Sequence, residues 1–291
     1  MTIFVRRLVA AVTLGAALAG CGDSRSTTGL SAARSAPASP AAKASAAATA
    51  PGARAPGPPP TTAAGPAGLT PVFERARSTA GEKTVALTFD ADMTADQGPR
   101  AARGERFDNP ALISSLRRLK VPSTVFMTGR WAEEYPDQAR SIGTDPLFEI
   151  ANHSYSHHAF KSPCYGLPAL DDKAARSDVE RAFAAFRKAG ARNTVPYFRF
   201  PGGCYDDRAL RALAPAGVTA VQWDVVSGDA FATDADAVAE QVLAGVRPGS
   251  VVVMHCTRSA APVTGEAVEQ IVPELRRRGY RFVKVSELIE R

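Results

Sequence analysis

Two histidines spaced by four are the residues of this sequence whose type and spacing most directly suggest chemistry. His153 and His157 enclose the segment Ser154-Tyr155-Ser156, and on a helical turn or a tight loop both imidazoles can meet one metal ion. A nearby carboxylate would complete a two-histidine, one-carboxylate site that keeps positions open for water and substrate. An isolated pair of this kind is more often a hydrogen-bonded polar cluster. The chain has only four histidines, however, and three of them follow predicted strands, which favours a functional site.

The elements that carry these histidines are short apolar segments that alternate with helical patterns. Predicted strands cover residues 83–89, 123–127, 147–151, 197–200, 219–223, 250–254 and 281–283. Helical patterns cover residues 109–120, 130–142, 171–189, 206–213, 234–243 and 264–278. The alternation predicts parallel β/α units and the α/β class. About seven such units, without a glycine-rich phosphate loop after the first strand, favour a barrel over a doubly wound open sheet.

The polar residues that could do chemistry fall at the ends of these predicted strands. In chain order they are Asp90 and Asp92, His153 and His157, Arg199, Asp224 and Asp229, and His255. In a parallel barrel such strand ends share one rim, and that rim is where barrels of this kind build their active sites.

Four segments in this order resemble the polysaccharide deacetylase family, also called the NodB homology family. They are Thr88-Phe89-Asp90, then Glu149-Ile150-Ala151-Asn152 followed by His153-Ser154-Tyr155-Ser156-His157, then Arg199-Phe200-Pro201-Gly202-Gly203, and Val251-Val252-Val253-Met254-His255. The resemblance runs from about residue 83 to residue 289. It implies a distorted (β/α)7 barrel. It also implies the removal of acetyl groups from N-acetylated or O-acetylated sugars with one divalent metal ion, often zinc.

The resemblance also implies a role for each matching residue. Asp90 matches the catalytic base, His153 and His157 match metal ligands, and Arg199 matches the residue that holds the base carboxylate. The backbone N–H of Gly202 matches a donor to the oxyanion of the tetrahedral intermediate. His255 matches the general acid that protonates the leaving amine.

The chain departs from the family pattern after the first strand. The family has adjacent aspartates there, the base and then a metal ligand, whereas this chain has Asp90-Ala91-Asp92. Asp92 supplies the carboxylate from one residue further along, or the site works with two histidines and water. Our assignment of the metal ligands is Asp92, His153 and His157.

A second departure concerns the carboxylate that tunes the acid histidine. The family carries an aspartate at the position of Val226 and an Asp-Trp pair three and four residues later, where this chain has Asp229 and Ala230. Asp224 is a candidate replacement because it lies two residues earlier on the same face of the strand. The alternative is that Asp224 only caps a loop.

The remaining cysteines predict one disulfide bond. Cys164 and Cys204 each follow a loop that carries a motif, so we expect both near the rim and paired with each other. Cys256 lies beside His255 at a strand end, and we expect it to be buried and free.

The N-terminal third of the chain predicts export and a membrane anchor. Residues 1–20 have two arginines, an apolar run and a small-residue end, which is typical of a signal peptide. Leu18-Ala19-Gly20-Cys21 resembles a bacterial lipobox, which implies a lipidated Cys21; the alternative is a plain secretory signal with a chance cysteine. Residues 21–82 are an Ala/Pro-rich sequence that predicts a disordered tether, and residues 83–291 form the catalytic domain.

The charge distribution argues against a nucleic-acid partner. The chain has 35 Lys+Arg and 29 Asp+Glu. Residues 1–83 contain nine Lys+Arg and three Asp+Glu, so residues 84–291 contain 26 Lys+Arg and 26 Asp+Glu. The net charge of +6 therefore belongs to the leader and the tether, and the domain is neutral.

From these observations we expect a monomeric, metal-dependent carbohydrate deacetylase, lipid-anchored to the outer face of the cytoplasmic membrane, with zinc as the metal. Its expected substrate is an acetylated polysaccharide such as peptidoglycan, a choice that follows from the location and not from the site. Two alternatives stay open: an O-acetyl carbohydrate esterase, and a non-catalytic glycan-binding protein on the same fold.

Overall fold

The computed structural model describes residues 61–77 and 81–290. All of these belong to the larger of two compact units of the chain, Pro56–Arg291. The predicted signal peptide, Cys21 and the tether up to residue 60 lie outside the described residues, so these stay predictions. No helix within the described ranges is both long and apolar enough to cross a membrane.

The described residues form a sheet of nine parallel strands surrounded by helices. The strands are β1 (Val72–Phe73), β2 (Thr84–Ala91), β3 (Ser123–Met127), β4 (Phe148–Asn152), β5 (Thr194–Phe198), β6 (Thr219–Val221), β7 (Val225–Val226), β8 (Ser250–His255) and β9 (Arg281–Phe282). The helices are α1 (Gln97–Ala101), α2 (Pro110–Arg118), α3 (Gly129–Glu134), α4 (Pro136–Gly143), α5 (Asp172–Ala189), α6 (Asp207–Leu213), α7 (Ala235–Gly245), α8 (Thr264–Arg277) and α9 (Val285–Ile289).

The sheet curls into an incomplete barrel. Its strand order is β1-β6-β5-β4-β3-β2-β8-β7, with β9 paired to the start of β2, and all of these pairs are parallel. Within the part of the chain that the structure describes, no hydrogen-bonded pair joins β1 to β7. The prediction of a distorted barrel of β/α units is confirmed, and β2, whose end carries two aspartates, is flanked by β3 and β8.

Local sequence explains where two of the helices begin. The side chain of Asn109 accepts a hydrogen bond from the backbone N–H of Leu112 at 3.1 Å, and Pro110 occupies the first position of α2. The helix predicted over residues 130–142 divides into α3 and α4 because Pro136 excludes Tyr135 from helical geometry.

Alternation along β2 decides which side chains reach the interior of the barrel. Leu87, Phe89 and Ala91 pack with the surrounding helices in the larger hydrophobic cluster. Ala86 belongs instead to the cluster inside the curled sheet. Since successive residues of a strand point to opposite faces, Asp90 points inward with Ala86, and Asp92 follows on the same side.

The segment just before residue 77 extends the domain upstream of its predicted start at Lys83. Strand β1 pairs in parallel with β6, and the backbone N–H of Ala76 donates to the carbonyl of Gly249 at 3.0 Å. The sequence pattern missed this edge strand because its two residues are flanked by an Ala/Pro-rich stretch. The last part of the predicted tether is therefore part of the folded domain.

Candidate active site

Asp90 and His255 lie side by side at the carboxyl ends of two neighbouring strands. They are register partners in the pairing of β2 with β8, which sets their Cα atoms about 5 Å apart. Asp90 is 4% exposed. The predicted base and the predicted acid thus share one rim, as expected from the sequence.

Arg199 holds the Asp90 carboxylate from the opposite side. Its Nη1 donates to Oδ1 of Asp90 at 2.7 Å, and its Nε donates to the carbonyl of Val221 at 3.2 Å. The guanidinium lies 3.8 Å from the centroid of the Phe126 ring, and the side chain is completely buried. A buried charge persists only when it is paired and hydrogen-bonded, so this ion pair fixes the orientation of the carboxylate.

His153 is oriented by the backbone of the same arginine. Its Nδ1 lies 2.9 Å from the carbonyl oxygen of Arg199, and its Nε2 lies 3.7 Å from Oδ2 of Asp90. A carbonyl oxygen only accepts, so Nδ1 carries the proton and Nε2 presents a lone pair to the site.

The loop from His153 to His157 is held from behind by a buried aspartate of α5. Oδ1 of Asp178 accepts from the backbone N–H groups of Tyr155 at 2.6 Å and Ser156 at 3.4 Å. His157 itself has a left-handed backbone with φ of 57°, which few residues other than glycine adopt. The tight turn brings both imidazoles to one side, with ring centroids 5.0 Å apart.

Asp92 reaches the same side and is fixed there by Thr257. The Thr257 hydroxyl donates to Oδ1 of Asp92 at 2.6 Å, and the other oxygen, Oδ2, lies 4.0 Å from Nε2 of His157. Ala91 packs outward into the hydrophobic core. The structure therefore brings Asp92, and not residue 91, to the two histidines.

The donor types of this cluster fit a divalent metal ion such as zinc. Within residues 61–77 and 81–290, no three His, Cys, Asp or Glu side chains already form a compact ligand cluster. Nε2 of His157 and Oδ2 of Asp92 are 4.0 Å apart, and a tetrahedral zinc ion with ligand distances of about 2.0–2.2 Å holds neighbouring ligand atoms about 3.5 Å apart, so the two side chains would move about half an ångström closer on binding. Nδ1 of His157 is buried without a hydrogen-bond partner, so that ring has unused ligand capacity.

The electrostatic environment keeps the two imidazoles neutral and the carboxylate ionised. Burial lowers the pKa of His153 and outweighs the carboxylates of Asp90 and Asp92, and burial lowers the pKa of His157 to about 4. Burial opposes ionisation of Asp92, but the charges that His157 and His255 carry when protonated and the Thr257 hydrogen bond outweigh burial, so the pKa of Asp92 is lowered. These are the protonation states in which the groups bind metals.

Asp229 is the carboxylate that orients and tunes His255. Its Oδ1 lies 2.8 Å from Nδ1 of His255, and its Oδ2 accepts from the backbone N–H of His255 at 2.7 Å and from the Thr264 hydroxyl at 2.7 Å. Burial lowers the pKa of His255, but the hydrogen bond and charge of Asp229, with Asp90 and Asp92, raise it to about 9. His255 is thereby kept protonated at neutral pH.

The suggestion that Asp224 replaces the tuning carboxylate is wrong. Asp224 accepts from the backbone N–H of Val251 and from the hydroxyl of Ser250, both at 2.9 Å, at the start of β8. His255 ends that strand five residues later, about 16 Å away. After Asp224 the chain forms β7 and then a turn at residues 227–229, and this turn places the Asp229 carboxylate beside His255.

Gly202 lies in a short turn after β5 that only glycine fits. Its φ is 65°, and a Cβ at this position would lie 2.6 Å from Sγ of Cys164. Cys164 and Cys204 form a disulfide bond, as predicted, with Cα atoms 6.0 Å apart, and Cys256 is free and buried. The bond ties the loop after the histidine pair to the turn that presents the backbone of Gly202.

Sequence reasoning missed Thr257 and Asp178 and left Asp229 unassigned. Thr257 follows His255 by two residues and so shares its side of the chain, which was a usable signal. Asp178 acts from the second turn of a helix with no local motif, and only the fold places it under the histidine loop.

Comparison with known proteins agrees with this geometry. The profile of the polysaccharide deacetylase family matches residues 77–221. A chitooligosaccharide deacetylase of Sinorhizobium fredii is 31% identical over 218 residues, which cover 70% of this chain and 91% of that protein. A peptidoglycan-N-acetylglucosamine deacetylase of Bacillus cereus is 28% identical over 210 residues, which cover 72% of this chain and 89% of that protein.

A solved structure shares the fold. It is a mutant, with restored enzymatic activity, of a CE4-family pseudoenzyme whose wild-type form is from Bacillus anthracis. It aligns with a TM-score of 0.60 and 25% identity over 75% of this chain and 71% of its own. The fold, the polar residues at the rim of the barrel and the related proteins together define this chain as a hydrolase built on a distorted parallel barrel. The chain belongs to the polysaccharide deacetylase family.

Proposed function

We propose that this protein is a metal-dependent hydrolase that removes acetyl groups from N-acetylated sugars of a cell-envelope or extracellular polysaccharide. The observation that carries the proposal is the placement of two charged pairs on one rim beside two neutral imidazoles. Asp90 is paired with Arg199, and His255 is paired with Asp229. An ionised base next to a protonated acid is the arrangement that amide hydrolysis needs.

The metal would be held by Asp92, His153 and His157. When bound, it would supply Lewis acidity, which lowers the pKa of a coordinated water and withdraws electrons from the acetyl carbonyl. The chain contributes two neutral nitrogen ligands and one anionic oxygen ligand to this site, and Thr257 fixes the anionic ligand.

Asp90 would act as the general base. Its Oδ1 is occupied by Arg199, so Oδ2 is the oxygen available to take a proton from the hydrolytic water as that water adds to the acetyl carbonyl carbon. The backbone N–H of Gly202 would donate to the carbonyl oxygen as it gains negative charge.

His255 would act as the general acid. Since Asp229 occupies Nδ1, the proton on Nε2 is the one that can be given to the leaving nitrogen as the carbon–nitrogen bond breaks. The products are acetate and a sugar with a free amine. Asp229 favours the imidazolium before the step and fixes the direction in which its proton points.

The test is acetate release from a panel of N-acetylated and O-acetylated glycans, before and after removal of metal with a chelator. We expect release from N-acetylglucosamine oligomers or peptidoglycan, its loss in the chelator, and its return with a divalent metal. Release from O-acetylated glycans alone would favour the esterase. Glycan binding without metal uptake or acetate release would favour the non-catalytic binding protein.

We further propose that the domain acts outside the cytoplasmic membrane, anchored by a lipid on Cys21. The support is the lipobox-like sequence before Cys21 and the Ala/Pro-rich sequence after it. Cys21→Ser should abolish the acyl mass on the mature N-terminus and release the protein from membranes. Equal membrane association of both forms, with no acyl group, contradicts the anchor.

A further inference from the structure

Two aromatic side chains on the rim loops are largely exposed to solvent. Of the residues described, the large apolar side chains that are exposed are Tyr165 at 89%, Phe231 at 83% and Val226 at 51%. A single exposed apolar residue is common and needs no explanation. Here all three lie on segments that follow or end a strand at the rim of the candidate active site.

Both aromatic residues have a backbone conformation that bulky residues rarely adopt. The φ of Tyr165 is 45° and the φ of Phe231 is 62°. Such a conformation costs of order 1 kcal/mol or more and persists only where the surrounding structure imposes it. An exposed ring gains no burial energy in the free protein that would offset this cost.

Neighbouring contacts hold the backbone in place at Tyr165 and Phe231. Tyr165 directly follows Cys164, which is bonded to Cys204. The backbone N–H of Phe231 donates to the carbonyl of Ala260 at 2.6 Å. The rings are therefore carried by anchored segments and not by free loop tips.

The two rings flank the reacting groups from opposite sides. Cδ2 of Tyr165 lies 3.4 Å from the position that a Cβ on Gly202 would occupy, on the side of β4 and β5. Phe231 follows Asp229 by two residues, within about 7 Å of chain, on the side of β7 and β8. Strand β2, which carries Asp90, lies between these two sides in the sheet order.

We propose that Tyr165 and Phe231 are sugar-stacking residues that bind a glycan of several pyranose units on both sides of the unit being deacetylated. The proposal rests on the proposed function. The face of a pyranose ring presents C–H groups, and the face of an aromatic ring is electronegative, so the two surfaces attract and exclude water. The substrate class that this arrangement selects is an oligosaccharide or polysaccharide and not a single acetylated sugar.

The test compares Tyr165→Ala and Phe231→Ala with the wild type on the monomer, dimer, tetramer and hexamer of N-acetylglucosamine. Each variant should raise KM for the tetramer and hexamer roughly threefold to tenfold, with a smaller change for the monomer. Tyr165→Phe and Phe231→Tyr keep a ring and should restore the wild-type KM. The control is Tyr280→Ala, a half-buried aromatic just before β9, which pairs with the start of β2 far from the rim; it should not change the dependence of KM on chain length.

A binding measurement separates this proposal from the proposed function. Calorimetric titration of the Asp90→Asn protein with the hexamer measures affinity without turnover, so it remains decisive if the wild type releases no acetate. Loss of affinity in the alanine variants, recovered in the ring-retaining variants, supports the stacking role. An unchanged KM and an unchanged hexamer affinity in both alanine variants would overturn it.

Discussion

Thr257→Val tests whether the unusual position of the third metal ligand depends on its hydrogen bond. Valine keeps the shape of threonine and removes the hydroxyl that donates to Oδ1 of Asp92 at 2.6 Å. Thr257 is completely buried, so no solvent enters to replace the lost donor. The Asp92 carboxylate then has no fixed orientation toward His157.

The expected loss follows from the strength of this kind of contact. A hydrogen bond to a charged group stabilises by about 1.5–3 kcal/mol, which corresponds to roughly tenfold to 150-fold in an equilibrium constant. Partners that hold a metal ligand in place typically contribute about tenfold to 100-fold to metal affinity. We predict that Thr257→Val weakens zinc binding by about tenfold to 100-fold.

The assay is competition for zinc between the purified protein and a chromophoric chelator. Thr257→Ser restores the hydroxyl and should bind zinc within about threefold of the wild type. Thermal unfolding of each metal-free variant controls for loss of folded protein. If Thr257→Val binds zinc as tightly as the wild type, then Thr257 does not position the ligand, and Asp92 is not held as the structure indicates.

Three further outcomes follow from the contacts described above. Asp229→Asn keeps a hydrogen-bond acceptor but removes the negative charge that raises the pKa of His255. The alkaline limb of the plot of kcat/KM against pH should therefore move to lower pH. If this limb does not move, His255 is not the general acid. Replacement of Cys164 and Cys204 by serine should lower Tm. The bond closes a long loop, and in the chain-entropy model the lost freedom of the unfolded chain stabilises the folded state by roughly 4 kcal/mol. An unchanged Tm contradicts that contribution. Burial raises the pKa of Glu149, so the folded state binds the proton of this carboxyl more tightly than the unfolded state does. This contribution to stability is present at acidic pH and is lost as pH rises through the raised pKa. Between acidic and neutral pH, the unfolding free energy of Glu149→Gln should therefore increase relative to that of the wild type, as measured by urea denaturation.

Much of the site could be predicted from the sequence because its polar residues lie at the ends of strands. A parallel β/α pattern brings residues separated by up to 165 positions, such as Asp90 and His255, to one rim whatever the details of the loops. The disulfide between Cys164 and Cys204 was predictable for the same reason, since both cysteines follow segments that had to meet there.

The role of Asp229 depended on chain geometry that no pattern encodes. The sequence predicts one strand over residues 219–223 followed by Asp224, whereas the structure has two short strands on either side of this aspartate, β6 and β7, in different places of the sheet. Asp224 thus stabilises the far end of β8, and the turn after β7 delivers Asp229. The two-residue strand β1 was missed because a strand so short leaves almost no alternation to detect.

A comparison of Asp92→Ala with Asp90→Asn bears directly on the proposed reaction. Zinc affinity and acetate release from an N-acetylglucosamine oligomer are measured for both variants and the wild type. We predict that Asp92→Ala lowers both quantities, because it removes a ligand, whereas Asp90→Asn binds zinc with nearly wild-type affinity and loses acetate release. Wild-type protein that takes up no divalent metal at stoichiometric concentration, or an Asp92→Ala protein that matches the wild type in both measurements, would contradict the metal site and the mechanism built on it.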